Sequence, residues 1–324
     1  MSASAGPICR VVFHADDFGM NAAVNAGILK SFRHGVLTST SLLSNAPAAT
    51  EACHEWPGLL QDLAVRRLES LSVRQELGDP DVPFDLGVHL NLTQGRPLTG
   101  DRYPAELLNE RGEFPGIGAV FTRFRRTTPT QVAKVADELN AQIEWMCDHH
   151  LRPSHLNGHQ YVELLPPIAA MIPEMMERYQ IPVCRVARES ALVRTVLTQG
   201  RLFEWGIGLV KRYFASRFLR RMRRSRVRFP DQFFGTAHAG RIDRATMTAF
   251  LRRARGVETT EVGIHPGDPP DAAARGPSDP WFDPLQELRA FERDLLCSPA
   301  IRDVMAQQGM KLGRLQLLTP TSLS

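Results

Sequence analysis

The run VVFHADDFGM, residues 11–20, places two adjacent carboxylates, Asp16 and Asp17, directly after an apolar segment that reads as a buried strand. Neighbouring carboxylates repel one another unless a cation, a shared proton or a set of donors holds them. Three later segments also end an apolar stretch on polar groups. DLGVHLNLT carries His89, HLNGHQYVE carries His155, Asn157 and His159, and EVGIHPGD carries His265 just ahead of Pro266 and Gly267. Singly, each has an ordinary structural reading: an Asp-rich turn, a hydrogen-bonded core histidine, an HPG turn. In a parallel α/β fold, however, the C-terminal ends of the strands face one side, so these groups converge. One carboxylate with two imidazoles is a common ligand set for a divalent catalytic ion. Such an ion activates water and polarises a carbonyl, a second carboxylate accepts a proton, and a separate histidine protonates the leaving amine. Those are the parts of a metal-assisted hydrolysis. The residue types leave open which aspartate binds and which accepts the proton.

The elements that must position these groups alternate along the chain. After DDFG, Val24, Ile28, Leu29 and Phe32 share one face of a helix over 21–34, with Asn21 as N-cap and Gly35 as stop. A strand over 36–43 and a short helix over 47–56, ended by Pro57, follow. Residues 58–84 interrupt the rhythm and read as a surface insertion. A strand over 85–92 restores it, and 94–130 reads as a long loop around a site. Helices are expected over 131–151, 166–179, 201–225, 243–255 and 284–308, with strands starting at 154, 181 and 259. This order predicts one α/β domain over 1–324 with a barrel-like parallel sheet. Phe18 and Gly19 read as turn geometry and Cys184 as core. His14 is expected to point away from the acidic pair. Asn45 with Pro47, and Arg185 after the strand PVC, are candidates for the mouth of the site.

The chain of 324 residues is 43% hydrophobic and 23% charged, the composition of a globular protein rather than a disordered one. No run approaches the roughly 18 apolar residues that cross a bilayer, and the N-terminal stretch lacks a basic and apolar leader pattern. Five scattered cysteines, none in a CxxC pair, argue for a reducing compartment and against a zinc knuckle or disulfide frame. The expected location is therefore cytoplasmic. The net charge of +4 is concentrated. Residues 211–228, KRYFASRFLRRMRRSRVR, hold nine basic residues and no acid, so the rest of the chain is net acidic. On this basic helix Phe214, Phe218, Leu219 and Met222 form an apolar stripe that suits an anionic membrane surface, the barrel mouth or a subunit interface. No nucleic-acid-binding motif accompanies it.

The motifs ADDFG, GVHLNLT, HLNGHQYV and HPG, in this order and spacing, resemble those of the YdjC/ChbG carbohydrate deacetylase family over most of the chain. The resemblance implies a distorted (β/α) barrel related to polysaccharide deacetylases, with one divalent ion, Mg²⁺ or Zn²⁺, at its mouth. It implies Asp17, His89 and His159 as metal ligands, Asp16 as general base and His265 as acid or oxyanion partner. Asn45, Arg185 and His155 become candidates for substrate contact. The implied substrate is an N-acetylated sugar or glycoconjugate, and such enzymes are commonly homodimers. Where the family reads HxDxHxHxH, this chain has Asn157, Tyr161 and Glu163 at the Asp and the last two His, which points to an altered substrate choice. Two other readings stand beside it: hydrolysis of another amide or a phosphoester, and a weakly active glycan- or membrane-binding protein.

Overall fold

The computed structural model describes residues 9–69, 84–189, 202–236, 238–254, 256–270, 276 and 279–315. Its centre is β1 (Arg10–Phe18), whose residues after Arg10 are all buried. α1 (Ala22–His34) follows, capped by the Asn21 side chain, which accepts from the Val24 amide at 2.9 Å. Then come β2 (Ser39–Leu42), α2 (Ala49–Glu69) and β3 (Asp85–Leu90). α3 (Ile117–Phe124) and α4 (Pro129–Asp148) lead to β4 (His155–Gly158), a 3₁₀ turn (His159–Leu164), α5 (Pro166–Arg178) and β5 (Val183–Cys184). The remainder is α6 (Leu202–Met222), β6 (Gln232–Phe234), α7 (Arg244–Arg253), β7 (Thr259–Ile264), α8 (Arg289–Cys297), α9 (Pro299–Gln307) and β8 (Lys311–Leu312).

Every strand pairing is parallel, in the order β5-β4-β3-β2-β1-β7-β6, with β8 beside the start of β1. The sheet curls into a half-barrel. Among the described residues its two ends meet through single bridges, Val183 to Arg228 and Glu189 to Phe233. Because all strands run one way, their C-terminal ends form a single mouth.

Several expectations are corrected by local physics. Pro57 does not end α2; the helix runs through it to Glu69. Proline removes one ladder hydrogen bond, and buried Trp56 and Leu59 on either side hold the helix together. Thus 58–69 belong to α2 rather than to an insertion, and 70–83 lie outside the described residues. The closing helix is two, because Ser298 is extended before Pro299 and caps α9 through its hydroxyl. The loop 94–130 contains α3. β6 and β8 span three and two residues, too short for a periodic signal.

Candidate active site

Strand geometry normally sends adjacent side chains to opposite faces. β1 avoids this by a shift in its register with β2 between Ala15 and Phe18, and by a left-handed Asp17 at φ 73°. This irregularity turns both aspartates towards the mouth. Gly19, at φ +91°, completes the turn, where a Cβ would meet Leu42 and the backbone of Ala49 at 3.1 Å. His14, two residues before Asp16, shares its face, so the expectation that it points away is wrong. Its Nδ1 lies 3.1 Å from Asp16 Oδ1.

Asp17 Oδ1 faces two imidazoles, His159 Nδ1 at 2.9 Å and His89 Nε2 at 3.4 Å. One ligand atom from each of Asp17, His89 and His159 lies within 4.8 Å of the others, and all three residues are buried. Their outer atoms are already committed. Asn157 donates through Nδ2 to Asp16 (3.2 Å), so its Oδ1 is the acceptor for His89 Nδ1–H at 2.7 Å. Gln94 donates through Nε2 to Phe282 O (2.8 Å), so its Oε1 accepts His159 Nε2–H at 2.7 Å. Both histidines thus have their outer nitrogens engaged, which turns His89 Nε2 and His159 Nδ1 inward to Asp17 Oδ1, the orientation that ligating imidazoles take. Asp17 Oδ2 takes Arg289 Nη2 at 2.7 Å, and Asp283 holds Arg289 in turn. Burial pushes Asp17 up, but Arg289, His159 and His89 outweigh it and hold the carboxyl well below its usual range. An ionised carboxylate oxygen with two inward-facing imidazole nitrogens is a donor set that fits a divalent cation.

Asp16 sits beside this cluster. Arg185 Nη1 donates to its Oδ2 at 2.7 Å, and His265 Nε2 lies 3.8 Å from the same oxygen. Burial raises Asp16 too; Arg185, with His89, more than reverses this and keeps it well below the carboxylate range. His265 is the more open partner, and its backbone amide is held by Glu292 Oε2 at 2.7 Å. Glu292 and Arg289 both come from the buried face of α8.

Arg185 and His155 are buried, 1% and 0% exposed, and work through other residues. Arg185 also donates to Glu261 Oε1 and His14 Nδ1, both at 2.7 Å. An arginine can only donate, so His14 Nδ1 accepts, and its Nε2–H points to His155 Nε2 at 2.7 Å. His155 Nδ1–H then donates to Ser154 Oγ (2.8 Å), which donates to Leu86 O (3.0 Å). Burial holds both histidines below the usual imidazole range, assisted by the Arg185 charge on His14 and by the neighbouring His14 on His155. Gly87 makes room for this column, since a Cβ there would stand 2.4 Å from the His155 ring. Asn45 lies at the rim, where its amide donates to Gln94 O (3.3 Å) and Arg96 O (3.0 Å) and its Oδ1 accepts from Asn91 Nδ2 (3.0 Å). It shapes the loop that carries Gln94.

Glu163 is fully buried, and neither carboxyl oxygen has a hydrogen-bond partner among the described residues. Burial pushes it up to about 8. An unfolded glutamate titrates near 4.3, so across the interval between, the unfolded chain has lost a proton that the folded one keeps. Stability is then full below that interval and falls by about 1.4 kcal/mol per pH unit of rise. Metal-free protein is expected to lose roughly 2–3 kcal/mol between about pH 5 and pH 7 in denaturant melts relative to Glu163→Gln. Identical pH dependence in the two proteins would mean that Glu163 is ionised in the fold.

The motifs thus bring together Asp16, Asp17, His89, His159 and His265. They do not reveal Arg289, Glu292, Asp283, Glu261 or Gln94. Arg289, Glu292 and Arg293 share one face of α8, but a charged face read by period alone is assigned to solvent.

Comparison with known proteins agrees with this architecture. A family model described as YdjC-like protein matches residues 10–307. A carbohydrate deacetylase of Geobacillus stearothermophilus is 28% identical, covering 93% of this chain and 94% of the relative. Carbohydrate deacetylases of Mus musculus and Homo sapiens are each 29% identical, covering 95% and 94% of this chain and 94% and 90% of their own. A crystal structure from Enterococcus faecalis V583, provisionally described as a cellobiose-phosphate cleavage protein, superposes with a TM-score of 0.68 at 20% identity. It covers 95% of this chain and 98% of that one, a likeness of fold.

Proposed function

Because the chain belongs to the YdjC family, we propose that it is a carbohydrate deacetylase that hydrolyses the N-acetyl group of an amino sugar or glycoconjugate with one divalent ion, Zn²⁺ or Mg²⁺. The observation that carries the reading is the Asp17–His89–His159 cluster with the Arg185-held Asp16 beside it and His265 opposite. Asp17 Oδ1, His89 Nε2 and His159 Nδ1 would hold the ion. When bound, it supplies Lewis acidity, which activates water and polarises the amide carbonyl.

The chain's own groups do the rest. Asp16 accepts the water proton; the charge of Arg185 and the amide of Asn157 keep its carboxylate ionised and fix its plane. His265 Nε2 faces that carboxylate and delivers a proton to the departing amine. Arg185 and His155 act by positioning Asp16, and Asn45 by positioning the Gln94 loop. Tyr161, with Lys211 of α6 4.7 Å above its ring, stands at the mouth where the family pattern has histidine, and belongs to the sugar subsite in this reading. The five cysteines are free thiols and no helix among the described residues is long and apolar enough to cross a membrane; we place the reaction in the cytoplasm.

The test is acetate release from a panel of N-acetylated sugars and lipid-linked glycans, with metal-stripped protein and protein restored with Zn²⁺ or Mg²⁺. Release that follows the restored ion is expected. Release unchanged in metal-stripped protein would remove the ion from the reading, and release from no member of the panel would remove the deacetylase.

A further inference from the structure

Helix α6 presents two unlike faces. Ala215, Phe218, Leu219 and Met222 recur at helical spacing and are buried in the protein. The stripe that the sequence offered to a membrane is therefore already used. The opposite arc, continued by the turn after Met222, is cationic: Arg212, Arg217, Arg220 and Arg221 of the helix and Arg223 and Arg224 of the turn are all exposed. None of the six is ion-paired among the described residues, and no acid lies between Glu204 and Asp231. Arginines this close on one arc repel one another; Arg217 leans over the Tyr213 ring at 5.9 Å, and no carboxylate among the described residues pairs with the six.

The arc is not purely charged. Tyr213, 57% exposed, stands at its middle. Its ring meets Phe214 at 5.4 Å, Phe214 meets Phe121 of α3 at 5.7 Å, and Ile117 at the start of α3 is 37% exposed. α6 packs on the 3₁₀ turn that follows β4, with Lys211 over Tyr161, so the face opposite the arc is the one held against the protein.

We propose that the arginine arc of α6, with Tyr213 and Ile117 as its apolar points, docks this protein on an anionic phospholipid surface. Charge complementarity selects the partner: arginines held near an anionic bilayer each strengthen binding, and an amphipathic aromatic among them suits the headgroup layer. The arc carries one exposed aromatic, Tyr213, where a single-stranded nucleic acid would use a series of stacking platforms. With the apolar stripe buried, attachment is electrostatic and reversible, and falls with salt. The inference stands apart from the deacetylase reading, because it is read out by partition rather than turnover.

The full chain should sediment with vesicles of phosphatidylglycerol and phosphatidylcholine at low salt, but not with phosphatidylcholine alone or at high salt. Arg217→Gln/Arg220→Gln/Arg224→Gln should lower the partition coefficient roughly 100-fold, at about fivefold per arginine, with an unchanged thermal midpoint. Tyr213→Ala should weaken binding less. Wild-type protein left in the supernatant with anionic vesicles at low salt would overturn the proposal, as would a triple variant that sediments like wild type. Arginine-dependent binding to duplex DNA tighter than to the vesicles would also overturn it, assigning the arc to nucleic acid.

Discussion

Asp16→Asn is expected to keep bound metal while acetate release falls by roughly 10²–10⁴, the range that a positioned general base supplies. Asparagine preserves the shape of the side chain but takes up no proton at neutral pH. It also cannot accept from both of the donors that Asp16 satisfies, Asn157 Nδ2 and Arg185 Nη1. One contact is therefore lost and Arg185 keeps only Glu261 as its counter-charge, at a cost of about 1–3 kcal/mol in stability. Elemental analysis, a denaturant melt and single-turnover acetate release on the same preparation separate these effects. Loss of the ion in Asp16→Asn with retention in Asp17→Asn would invert the roles assigned to the pair. Near-normal turnover with metal retained would remove Asp16 as the base.

His89→Ala and His159→Ala should each abolish stoichiometric metal binding. A three-residue site loses one of its donors outright, so affinity should drop by more than the roughly 10–100-fold that follows loss of an orienting partner. The two variants differ in what they leave behind. Removing His89 strands the buried Oδ1 of Asn157, whereas removing His159 frees Gln94 Oε1 nearer the rim. His89→Ala should accordingly be the less stable protein. Competition with a chelator measures the first effect and thermal melts the second. Full occupancy in either variant would refute that ligand.

The site was legible because its chemistry is written as short motifs at strand ends, and parallel pairing makes those ends converge. β7 illustrates the strength of this signal, since TTEVGI is the strand from Thr259 to Ile264. α2 illustrates its weakness: Pro57 reads as a stop, and only the tertiary packing of Trp56 and Leu59 overrides it. Asp17 was legible as a functional group but not its left-handed backbone, which a register irregularity with β2 imposes. His14 was misassigned although residues two apart on a strand share a face, as Asp16 and His14 do. Arg289, Glu292 and Gln94 were beyond reach for a different reason. Their partners lie up to 272 positions away in the chain, and no local pattern distinguishes a charged residue folded inward from one in solvent.

Arg289 and Glu292 have a joint consequence. One touches the carboxylate of Asp17 and the other the backbone of His265, and both sit on α8, three residues apart. Their offset along the axis is three helical rises, about 4.5 Å. The separation between the two halves of the site is thus measured by a rigid ruler rather than negotiated by loops. Lengthening that ruler by one residue between 289 and 292 would swing its graduations apart by roughly 100°. Loops around the mouth are free to diverge in length and composition, while the spacing of these two marks is not.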